Sequence, residues 1–198
     1  MTIHILISIV VGIVFGYFIA PEMVVQNIDF IIDFGLCLLL FFVGIDIGKN
    51  KDTFNNIKKY GLKILLIPIT VVLGTLFGSV LASFFLKLSL FESVAVGAGL
   101  GWYSLSAIEL SKYSAELGTI AFLANVSREV IALILIPIIA KKIGHIETIA
   151  AAGAPSMDTL LPVITKATNS SIAILAFFSG VVLSMLVPIL VPLIISFN

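Results

Sequence analysis

Ionisable side chains are scarce in this chain: charged residues occupy 11% of its 198 positions, against 60% hydrophobic ones, and mean hydropathy is +1.24. A soluble domain of that balance would present mostly apolar surface, so a water-soluble fold is excluded. The few charges cancel, eleven basic against eleven acidic, which leaves no basic face for nucleic acid. One cysteine, Cys37, excludes an intramolecular disulfide or a thiolate metal cluster and reads as a small apolar packing residue. His4 and His145 stand far apart without companions at metal-ligand spacing, so no cofactor is expected. Neither a P-loop nor an HExxH pair occurs. The energy for any solute movement must then come from an ion gradient, the membrane potential or a separate subunit.

What is present is a set of long apolar runs. Those at about 3–20, 28–48, 63–86, 117–140 and 172–197 are long enough to cross a bilayer as helices. The first lacks the basic cluster of a signal peptide, so it is expected to be retained. Two further apolar segments, about 93–110 and 149–165, are interrupted by helix breakers: Gly97, Gly99 and Gly101 in one, Gly153 and Pro155 in the other. Broken backbone at membrane depth survives only inside protein or against a wet cavity. Gly12-xxx-Gly16 and Gly74-xxx-Gly78 would allow close helix approach.

Lysine placement orients the chain. Lys49, Lys51, Lys58, Lys59 and Lys63 mark one cytoplasmic loop, and Lys141 and Lys142 a second. Segment 93–110 must then enter and leave on the outer side, and 149–165 must dip in from the cytoplasm. The expected fold is an all-α integral membrane protein, a single domain over 1–198. It has about five transmembrane helices and two re-entrant segments entering from opposite sides, as in inverted-repeat transporters. The N-terminus is then cytoplasmic and the C-terminus external. A rival layout with seven full crossings would place Lys141 and Lys142 outside.

Charge within the oily runs points to the site. Arg128 and Glu129 sit mid-way along Leu117 to Ala140, a stretch of about 36 Å as helix. A charge there costs roughly 2.5–3.5 kcal/mol on insertion scales, so it marks partners or a polar path. Asn125, one turn earlier, shares about a third of the circumference with them, and all three are expected to face one place. Ser104, Ser106 and Ser156 put hydroxyls at the breaks, and Asp158 adds a carboxylate after the second. Glu129 and Asp158 are candidates for holding a cationic substrate or carrying a proton. Arg128 either clamps a substrate carboxylate or neutralises Asp158 or Glu109. Trp102 and Tyr103 are either interfacial anchors or a cavity wall. Asp29 and Asp33 suit solvated helix ends, whereas Asp46 could line the cavity. Gly97-x-Gly99-x-Gly101 has no strand before it and is not a dinucleotide loop. A hydrolase built on Ser104 or Ser156 lacks a base, since neither histidine is central in a span, so the chain is not expected to be an enzyme.

Four stretches carry a family resemblance: Gly99-Leu-Gly-Trp-Tyr-Ser-Leu-Ser106, Asn125-Val-Ser-Arg-Glu129, Gly153-Ala-Pro-Ser-Met-Asp-Thr-Leu-Leu-Pro162 and the Phe-Val-Gly-Ile-Asp-Ile-Gly run around Asp46. In order and spacing the chain resembles the lysine exporter LysO family of the bacterial inner membrane. The likeness covers nearly all of it. The resemblance implies export of L-lysine and lysine analogues, driven by ion antiport (H+ or Na+) or membrane potential. It also implies essential intramembrane acids, carried most directly onto Glu129, then onto Asp158 and Asp46. Familiar members are longer at the N-terminus, this chain resembling their last two thirds. A homo-oligomer or a small membrane subunit supplying the missing helices is therefore expected. Other readings are a carrier for another small solute or ion, and a non-catalytic membrane subunit of a two-component transporter.

Overall fold

The computed structural model describes residues 2–27 and 61–198, with positions 30, 34, 35, 37, 38, 41, 42 and 45 between them. Asp29, Asp33, Asp46 and the lysines Lys49, Lys51, Lys58 and Lys59 lie outside the described residues. Regular structure among the described residues is entirely helical. α1 is Thr2–Phe18 and α2 is Glu22–Gln26. A 3-10 turn, Gly61–Leu65, leads into α3, Leu66–Ser83. Then come α4 (Leu90–Gly97), α5 (Tyr103–Ser111) and α6 (Ala115–Lys142). α7 (Glu147–Ala152), a 3-10 turn (Ala154–Met157), α8 (Leu161–Ala167) and α9 (Ser170–Ile195) complete the order. Among the described residues, α3, α6 and α9 are long and apolar enough to cross a membrane.

Side chains cap the N-termini of α4, α6 and α9. Ser89 and Glu92 form a reciprocal capping box at α4. Ser114 caps α6 by accepting from Leu117 N–H, and Asn169 caps α9 by accepting from Ile172 N–H. α6 carries Glu116 in its first turn and Lys141 and Lys142 in its last, both favourable to its dipole. α5 and α8, which begin at the interruptions, have no side-chain cap.

Two buried apolar clusters sit at opposite ends of the helices, with a polar layer between them. Along α6, Leu117 and Ala121 belong to one cluster, and Ala132 and Ile136 to the other; Asn125, Arg128 and Glu129 lie between. Along α9 the same order reads Leu183, Val187 and Val191, then Ser179 and Gly180, then Leu175 and Ile172. Glu129 is about 20 Å of helix from either end of α6. The α4–α5 hairpin hangs from the N-terminal end of α6, and the α7–α8 hairpin from its C-terminal end. α9 runs back, so that Asn198 donates to the Tyr113 hydroxyl and accepts from Ser89 Oγ beside the start of α6.

Close backbone approach is concentrated at the hairpins rather than along α1 and α3. A β-carbon at Gly12, Gly16, Gly74 or Gly78 would meet nothing within 4 Å among the described residues. At Gly97 it would run into Ser79, and at Gly118 into Ser111. The two sequence motifs flagged by small-residue spacing are therefore not where the described helices come closest.

Candidate functional site

The tips of the two hairpins meet each other in the polar layer. Residues 98–102 break α4 from α5, and residues 153–160 break α7 from α8. Ala154 N–H donates to the Leu100 carbonyl at 2.9 Å, so the breaks share a backbone hydrogen bond. Gly101 and Gly153 have φ of 100° and 69°, and Leu100 itself has φ of 50°. A left-handed leucine is uncommon and costs roughly 1–2 kcal/mol; its side chain is fully buried, which offsets that cost. A β-carbon at Gly101 would stand 2.8 Å from Pro155 Cδ, and one at Gly153 would collide with the Leu100 carbonyl. Glycine is required on both sides of the crossing.

α6 holds each break with a different residue. Asn125, buried on all sides, accepts from Gly101 N–H at 2.8 Å and donates to Val96 O, Ser106 Oγ and Ala121 O. Arg128 donates to Ala150 O in α7 and to Thr75 Oγ1 in α3, both at 3.3 Å, and its guanidinium lies over Gly153. A cation on the last carbonyls of a half-helix is favourable. Arg128 thus contacts neither Asp158 nor Glu109; Glu109 pairs with Lys112 at 2.7 Å. Arg128 and Glu129 are about 100° apart around the helix and diverge on either side of Asn125. That is why the expected common face divides into three destinations.

Glu129 turns into a cavity of about 120 Å³ at the crossing, room for several waters or one small solute. Gly101, Trp102, Tyr103 and Ser104 line it from the first hairpin, and Ala154, Pro155, Met157, Asp158 and Thr159 from the second; Ser184 closes it from α9. Among the described residues, two carboxylates line this cavity and no lysine, arginine or histidine does. Asp158 accepts from the N–H of Thr159 at 2.6 Å. Tyr103 stacks edge-on against Phe122 with ring centroids 5.6 Å apart, which fixes its ring at the wall. Such a surface suits a small organic cation: ionised oxygens for ammonium groups, aromatic faces for their charge, hydroxyls for orientation.

Of the residues singled out by sequence, Glu129, Asp158, Trp102, Tyr103 and Ser104 are brought together at the cavity. Asn125 and Ser106 lie behind it, bonded to each other, and Ser156 donates to the Ala176 carbonyl of α9. Arg128 lies beside the second break. Sequence reasoning missed Thr159, Met157 and Ser184; Thr159 and Met157 flank Asp158, but nothing in the spacing of α9 marks Ser184.

The sequence has known relatives. The sequence model of the family described as lysine exporter LysO matches residues 6–195. The chain is 34% identical to the lysine exporter LysO of Escherichia coli K12 over 160 residues, 80% of this chain and 53% of that protein. It thus spans about half the length of that relative. It is 31% identical over 197 residues to a provisionally named lysine exporter of Haemophilus influenzae Rd, covering 98% of both chains. No solved structure matches. A bilayer-length helical frame carrying two crossed breaks, together with a family match over nearly every residue, leads to one assignment: the chain belongs to the lysine exporter LysO family.

Proposed function

We propose that this chain forms the transport path of a secondary transporter that exports L-lysine and its analogues across the bacterial inner membrane. The observation that carries this reading is the cavity at the crossed breaks, lined among the described residues by two carboxylates and by no basic residue. Extended lysine separates its ε-ammonium from the α-carbon by about 6 Å. Glu129 and Asp158 would receive ammonium groups, and Trp102 and Tyr103 would cover the aliphatic stem. The uncapped N-terminus of α5, with Ser104, offers N–H groups for the α-carboxylate. Arg128 serves the second break rather than the substrate.

The topology follows the charge. Lys141, Lys142 and Lys166 gather at the end where α6 finishes, whereas Glu92, Glu109 and Glu116 outnumber Lys87 and Lys112 at the other. The lysine-rich end is cytoplasmic, so the hairpins enter from opposite sides as an inverted repeat and the C-terminus is external. Export is driven by antiport of H+ or Na+, or by the membrane potential. The chain acts with a second membrane component, either another copy of itself or a small subunit.

Efflux of labelled lysine from vesicles containing this chain alone, under imposed proton and sodium gradients, tests the reading. Glu129→Gln keeps shape and removes charge; it is expected to abolish efflux at unchanged expression and membrane insertion. Normal lysine efflux by that variant would refute the site. Absence of efflux by the natural chain, restored by a co-expressed small membrane protein, would establish the two-component form.

A further inference from the structure

Thr159 lines the cavity together with the two acids. Its N–H donates to Asp158 Oδ1 at 2.6 Å, and its hydroxyl stands 3.4 Å from the same oxygen. Glu129, entering from α6, lines the same cavity. Among the described residues, the other titratable group at this wall is the Tyr103 phenol of α5, while α9 contributes the neutral Ser184 hydroxyl.

Two carboxylates in a small desolvated space repel each other, and each oxygen left without a donor is costly. A threonine hydroxyl has one proton to give and two lone pairs to offer. An ammonium group brings three donors. We propose that Thr159 is a positioning residue whose hydroxyl yokes Glu129 to Asp158, presenting both carboxylates as one receptor for an alkylammonium group. When the cavity is empty the hydroxyl proton is shared along the pair. When an ammonium arrives it takes over the free oxygens, and the hydroxyl keeps the two acids at a fixed separation. This inference rests on the lysine-export reading and adds the residue that makes two separate acids act together.

Valine matches threonine in shape and leaves the Thr159 N–H bond to Asp158 in place, so Thr159→Val removes the hydroxyl alone. Equilibrium binding of labelled lysine to the purified full chain is measured for the natural protein, Thr159→Val, Thr159→Ser, Asp158→Asn and the Asp158→Asn/Thr159→Val pair. Thermal unfolding in the same detergent checks that each variant is folded. Thr159→Val is expected to weaken binding about ten-fold or more, the scale of one hydrogen bond to a charged group. Thr159→Ser is expected to stay within about three-fold of the natural chain, because it keeps the donor. In the Asp158→Asn background, loss of the hydroxyl should cost less than about two-fold, since residues acting as a unit are not additive. Unchanged binding by Thr159→Val, a serine variant as weak as the valine one, or full additivity would each overturn the proposal and leave lysine export standing. A natural chain that binds no lysine would remove both.

Discussion

The two chain breaks meet through one backbone hydrogen bond, yet they are held in opposite ways. The first, residues 98–102, is fastened by a neutral amide: Asn125 accepts from Gly101 N–H and donates to Val96 O and Ser106 Oγ. The second, residues 153–160, is fastened by a cation, Arg128 on Ala150 O, and by Ser156 on the α9 backbone. The first supplies the cavity with aromatic wall and the second supplies a carboxylate. A neutral clamp fixes geometry at little electrostatic cost, whereas a guanidinium on a backbone carbonyl brings a formal charge to the second break. The lesson is a division of labour: one break gives the cavity its shape, the other its charge.

The strongest way to break this comparison is to disturb the point where the breaks touch. Gly153 has φ 69° and ψ −140°, a conformation almost confined to glycine, and an added β-carbon would meet the Leu100 carbonyl. Gly153→Ala is therefore expected to cost roughly 3 kcal/mol or more and to abolish efflux together with folding. A melting temperature within a few degrees of the natural chain would show that the crossing is not as tight as described. Asn125→Ala comes next. It strands the Gly101 N–H in a buried site, at about 2–3 kcal/mol, and should lower the melting temperature while Glu129 and Asp158 remain in place. If efflux fell more than stability, the amide would belong to the transport path and the shape-against-charge distinction would fail.

Much of this was legible before any coordinates. The apolar runs at 63–86, 117–140 and 172–197 coincide with α3, α6 and α9, because bilayer thickness imposes a length on them. Most of the 28–48 run lies outside the described residues. Glycine and proline mark both breaks because no helix tolerates such clusters. The acids Glu129 and Asp158 stood out because charge in an oily run is expensive. What could not be read was direction. Helical spacing placed Asn125, Arg128 and Glu129 on one broad face, but a spread of about 100° between long side chains is wide enough to send them to different partners. Thr75 and Ala150, the partners of Arg128, lie 53 and 22 residues away from it. Pairings at that separation are fixed by how helices pack, and so is the place of Ser184 on α9. Among the described residues nothing would meet a β-carbon at the glycine pairs of α1 and α3 within 4 Å; small residues permit close approach without compelling it.

Ser156 gives the mildest and most discriminating case. On sequence it is a hydroxyl beside a break, chemically equal to Ser104, and both were candidates for touching a solute. The structure separates them: Ser104 lines the cavity, whereas Ser156 is fully buried and donates to Ala176 O at 2.9 Å. That carbonyl is already within the hydrogen-bonded ladder of α9, so losing the hydroxyl strands no acceptor and costs only about 1 kcal/mol. Ser156→Ala should then lower the melting temperature slightly and leave lysine affinity and efflux rate at their natural values. A change in affinity larger than about three-fold without a matching loss of stability would move Ser156 into the binding wall. The second break would then supply shape as well as charge.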